Sequence, residues 1–122
     1  MRFLDIFRPK WKHSDWRIRR NSVERLEDQS LLATIAQCDP HKDVRKTAIS
    51  KIKDESLLAT IADNDPSQHV QKAAVHELND QSLLADIAIG HHNDDVRWLA
   101  LIKLKDLSLL EEVMKNESHD KS

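Results

Sequence analysis

Glycine is almost missing: Gly90 is the only one in 122 residues. A chain so poor in glycine has no glycine-rich loop to cradle a phosphate, and it lacks the usual turn residue of tight β-hairpins. Tyrosine is absent and there are only two phenylalanines; scarce glycine beside plentiful Leu, Ala, Lys and Asp favours helices over sheets. Cys38 stands alone, which excludes an internal disulfide and fits a reducing, cytoplasmic setting. No apolar run reaches the length of a membrane span, and nothing resembles a signal peptide. Seven histidines are scattered without His-x-x-x-His, HExxH or Cys-x-x-Cys spacing, so no metal, cofactor or catalytic constellation is expected. His91 and His92 are adjacent, and neighbours in sequence do not share a helix face. Cys38 has no base partner in the pattern, so a nucleophile is not expected and the protein reads as a non-enzyme.

What the chain does have is repetition. "SLLATIA" occurs at Ser30 to Ala36 and again at Ser56 to Ala62; "SLLADIA" follows at Ser82 to Ala88 and "SLLEEVM" at Ser108 to Met114, each 26 residues after the last. The same step aligns the residues before the heptamer. Val44, Ala48, Ile49 and Ile52 fall on one side of an α-helix, as do their counterparts at Val70 to Leu78 and at Val96 to Leu104. Leu57, Leu58, Ile61 and Ala62 form a second helical stripe. Asp28, Asp54, Asp80 and Asp106 are placed to cap the second helix, and Asp15, Ser67 and Asn93 to cap the first, with His41 the weak member. Pro40 and Pro66 close the connections.

These signals predict an all-α chain of two-helix hairpins, each too small to bury its own stripes and stabilised by stacking on the next. The boundaries are a single domain of repeats 15–40, 41–66, 67–92 and 93–118, an N-terminal cap over 1–14 and a tail over 119–122. Phe3, Leu4, Ile6 and Phe7 would form the apolar side of a capping helix stopped by Pro9; an amphipathic foot for a membrane or partner is the alternative.

The "D-P-x-x-D-V-R-x-x-A" stretch from Asp39 to Ala48, followed by "LL..IA", resembles the short bacterial HEAT-like repeats of the PBS-lyase type. The resemblance covers about 104 residues and implies a right-handed α-α superhelix, or solenoid, of four repeats. It also implies a polar ladder along the inter-repeat turns, here carried by Arg19, Asp39, Arg45, Asp65 and Arg97. His13 and His91 replace the Asp, and Gln71 the Arg, so the ladder is expected to break at those rungs. Such repeats make a protein-interaction scaffold the leading expectation. The family analogy also touches bilin-lyase accessories and DNA-repair glycosylases, with no residue set here to support that chemistry.

Two surfaces stand out. Trp98, Leu99 and Ile102 are large apolar residues at registers that hold Lys46, Thr47 and Ser50 one pair of repeats earlier, and Ile89 and Leu107 would extend them. They suggest a protein partner or a second copy of the chain, unless the tail folds over them. The segment Met1–Arg25 carries eight Lys/Arg against three Asp/Glu, while the remainder carries eleven against eighteen. Trp11, Trp16, Arg17, Arg20 and Arg25 could therefore contact nucleic acid, but the acidic remainder disfavours a long duplex. The same asymmetry would suit head-to-tail association. The row of second-helix residues Ser30, Ala33, Thr34 and Gln37, with its later copies, is small-sided and reads as packing or a weak groove.

Overall fold

A computed structural model describes residues 9–120, with side chains described as far as residue 116. The expected apolar cap at Phe3, Leu4, Ile6 and Phe7 lies outside the described residues, as do Lys121 and Ser122. Among the described residues the chain is all-helical, with no strand. It divides into two compact units, Met1–Lys53 and Asp54–Ser122.

In the first unit a short 3-10 turn, Lys10–Lys12, packs against α1 (Trp16–Val23); α2 (Gln29–Cys38) and α3 (Lys42–Ile49) follow. In the second, α4 (Glu55–Asn64), α5 (Gln68–Glu77), α6 (Gln81–Gly90), α7 (Asp94–Lys103) and α8 (Leu107–Asp120) alternate. The most extensive helix contacts run across the Asp-Pro and His-His turns: α2 with α3 in the first unit, α4 with α5 and α6 with α7 in the second. Helices one full period apart also touch, α1 with α3, and α5 with α7, α4 with α6 and α6 with α8. Successive hairpins within each unit therefore bury one another's stripes, as the 26-residue period requires.

The buried core residues are aliphatic. Val23, Leu32 and Ile49 are fully buried in the first unit, and Leu58, Val75 and Leu84 in the second. Ile52, Leu78 and Leu104 are buried just beyond the helices that precede them, where Leu78 and Leu104 are the C-caps. Each closes the apolar stripe at the point where the chain turns.

The caps explain why the helices start where they do. Asp28, Asp54, Asp80 and Asp106 accept the backbone N–H of Leu31, Leu57, Leu83 and Leu109 at 3.1–3.2 Å. Asp15 accepts from Arg17 at 2.9 Å, and Asn93 from Asp95 and Val96. Two expectations change. His41 is a working cap, its Nδ1 accepting from Asp43 at 3.1 Å, because an imidazole nitrogen can stand in for a carboxylate oxygen. Ser67 caps nothing with its hydroxyl; the start of α5 is ordered instead by Asp65, whose Oδ1 accepts the Ser67 N–H at 2.9 Å.

Candidate functional site

The turns into α1, α3, α5 and α7 are each built on one repeated device. The residue two before each N-cap uses its side chain to accept the cap's N–H. His13 does so for Asp15, Asp39 for His41, Asp65 for Ser67 and His91 for Asn93, all within 2.9–3.0 Å. The residue six later then donates to its carbonyl: Arg19 to His13 at 2.8 Å, Arg45 to Asp39 at 2.8 Å, Gln71 to Asp65 at 2.6 Å, and Arg97 to His91. Arg19 also donates to Ser14 O and forms a two-pronged pair with Asp39, at 2.9 and 3.1 Å. That fork is a rung of the expected ladder, with only 11% and 6% of the two side chains exposed.

Three members of the series, Gln71, His91 and Arg97, depart from the arrangement of Arg19 and Asp39. Gln71 is buried, and its Oε1 has no hydrogen-bond partner among the described residues. His91, 4% exposed, takes the Asn93 N–H on Nδ1; its Nε2 therefore carries the proton, and it lies 2.8 Å from the Ala62 carbonyl. Arg97 turns back to pair with Asp94. His92 stacks on His91 with centroids 4.3 Å apart. Among the described residues no group of three or more His, Cys, Asp and Glu side chains is arranged to hold a metal ion.

The starts of the second helices carry a second set of repeated bonds that sequence reading missed. Gln29 donates to Lys51 O at 2.8 Å and accepts from Lys53 at 3.1 Å. Glu55 accepts from Asn79 at 2.9 Å, and Gln81 accepts from Lys105 at 2.6 Å and Asp106 at 3.1 Å. All three occupy one register, the first position of the second helix, and the fourth occupant is Leu107. The signal lay in the "DQS, DES, DQS, DLS" series. Beside it, Lys51 donates to Val23 and Glu24, and Lys103 to Val75, His76 and Leu78. Each ammonium thus sits on the carbonyls that end the previous period's first helix, where the helix dipole is negative. Burial pushes the Lys103 ammonium below the usual lysine value; Glu77 and Glu55 pull it back up, and Lys105 adds to the lowering.

The apolar candidates divide. Trp98, Ile102 and Leu107 are 63%, 61% and 75% exposed, and Met114 joins them at 62%. Leu99 is only half-exposed. It lies in the row Asp95–Leu99–Lys103, both ends of which bond to α5: Asp95 pairs with Lys72 at 3.6 Å, and Lys103 with the α5 carbonyls. Ile89 is half-buried near the turn into α7, a helix length away from Ile102 and Leu107, which flank the turn out of it.

In the first unit the basic candidates pack on themselves. Trp16 stacks on His41 with ring centroids 3.9 Å apart and planes within 10°, and the Arg17 and Arg20 guanidiniums lie 5.5 and 5.4 Å from its centroid. Trp11 carries Lys12 at 4.9 Å. One face of Trp16 is therefore occupied, which leaves less of it for a nucleic-acid base. Arg25 is exposed. Along the second helices, the polar groups of the bland row bond to their own backbone: Thr34 to Ser30, Gln37 to Ala33, and Thr60 to Ser56.

No helix among the described residues is long and apolar enough to cross a membrane. No family model, curated protein or solved structure matches the chain.

Proposed function

We propose that the chain is one right-handed solenoid of four HEAT-like hairpins and that it serves as a non-enzymatic scaffold for a protein partner. The repeated bonds at the helix starts and the stacking of same-register helices within each unit support the architecture. The exposure of Trp98 and Ile102 on α7 carries the function. Large apolar side chains at that exposure gain little from the fold and most from a partner that covers them. Lys72 and His76, their counterparts one period earlier, give α5 a polar surface at the same positions.

The test compares the wild-type protein with Trp98→Asp/Ile102→Asp as immobilised baits in extract of the native cell. A protein retained by the wild type and lost by the variant is the expected result. The same set retained by both, with the variant's circular dichroism unchanged, sinks this surface as the binding site.

A further inference from the structure

The two ends of the repeat array expose complementary halves of the hairpin interface. At the tail, Leu101, Leu110 and Met114 occupy the registers of Val75, Leu84 and Ala88. Those earlier residues are 0%, 0% and 2% exposed, whereas Leu101 and Leu110 are half-exposed and Met114 is 62% exposed. At the head, Ile18 and Ser22 occupy the registers of Val96 and Ala100; the later pair is fully buried and the earlier pair half-exposed. Among the described residues no hairpin follows α8 and none precedes α1. The 3-10 turn against α1 leaves Arg17 and Arg25 exposed.

We infer that the tail face on α7 and α8 takes the first hairpin of a second copy of this chain, continuing the 26-residue period from molecule to molecule. The proposal rests on the array reading above, and polar registers support this occupant. Arg25 stands at the register of Lys51 and Lys103, the two cations that seat on helix-ending carbonyls of the preceding period. In a head-to-tail joint its guanidinium meets the carbonyls of Leu101, Ile102 and Leu104, the counterparts of Val75, His76 and Leu78. Arg17 stands at the register of Asp95, and Trp98 at that of Lys72. The Lys72–Asp95 pair inside the chain thus becomes an Arg17–Trp98 cation–π contact between chains. Charge selects the orientation. Glu111 and Glu112 are exposed on α8, so two tails repel each other, while the head brings Arg17 and Arg25. Such a joint is heterologous and leaves one head and one tail free in a dimer.

The experiment is sedimentation of the purified chain alone, so its outcome is independent of whether any partner binds Trp98 in an extract. The wild type should grow with concentration past dimer, and added salt should reverse the growth. A tail-blocked variant, Leu107→Glu/Met114→Glu, and a head-blocked variant, Arg17→Glu/Arg25→Glu, should each stay monomeric. Mixed in equal amounts they should form dimers and nothing larger, since one intact tail and one intact head remain. Circular dichroism verifies folding; if the tail-blocked variant unfolds, Glu111→Lys/Glu112→Lys replaces it, with the same expectation. A wild type that is monomeric at about 1 mM overturns the proposal. So does a head-blocked variant that dimerises by itself, which would place tail against tail, or a mixture that remains monomeric.

Discussion

Ala62 near the end of α4 and His91 just after α6 are joined, the ring Nε2 of His91 donating to the Ala62 carbonyl at 2.8 Å. The reason lies in Pro66. A helix carbonyl ordinarily receives the N–H four residues on, and proline has none to give. Asp65 satisfies Ile61 as the chain leaves α4, and His91 supplies the donor that Ala62 would otherwise lack. His91→Ala removes this bond and the acceptor for Asn93 together. Unfolding in urea should show a loss of about 2–4 kcal/mol; a loss under half a unit would mean that water replaces the ring at no cost.

Gln71 and His91 stand at the registers of Arg19 and Asp39, the pair that forms the fork in the first unit. Gln71→Arg with His91→Asp should rebuild that rung. Each single change leaves a buried charge without its intended partner, so the double variant should be more stable than the sum of the singles by about 1–3 kcal/mol. A double-mutant cycle by chemical denaturation measures the coupling, and additivity would show that the two positions do not meet.

Gly90 ends α6 with nothing within 4 Å of where a Cβ would stand, and no glycine among the described residues has positive φ. Gly90→Ala should therefore raise stability by about 0.5–1 kcal/mol through the loss of unfolded-state freedom. A fall in the melting temperature would reveal a contact or a conformation that alanine cannot share.

Lys103 and Lys105 are two residues apart and are expected to behave differently. Lys103→Met frees the carbonyls that end α5 and should cost about 1–2 kcal/mol. Lys105 enters the second set of repeated bonds through its backbone alone, so Lys105→Met should stay within about 0.5 kcal/mol. Equal effects from the two would deny the ammonium its role.

Trp98→Ala should change stability by no more than about 0.5 kcal/mol, because the indole is largely in water. A larger loss in thermal unfolding would make Trp98 a packing residue and weaken it as a binding one.

Much of the architecture was legible because the same physical need recurs every 26 residues. Aspartates before each "SLL" announced helix starts, and aliphatics at helical spacing announced buried faces. The substituted rungs at His91 and Gln71 were legible too, since each breaks a pattern its neighbours keep. What escaped were side chains whose type gives no hint of their partner. A glutamine at the first position of a helix reads as an exposed polar residue, and only the fold shows Gln29 and Gln81 holding backbone one period away. The half-buried placement of Leu99 was equally hidden, because a helical wheel shows direction from the axis but not which neighbour stands there. Trp16 reads in the sequence as part of a basic cluster, and nothing there shows that His41, 25 residues on, stacks on it.

The polar bridges between hairpins described above close over 20 to 29 residues, about one period and never two. A chain wired this way can change length by recombination in whole blocks. Copying residues 67–92 in tandem would keep each helix in phase with its neighbours, whereas an insertion out of phase would leave the repeated bonds facing the wrong residues.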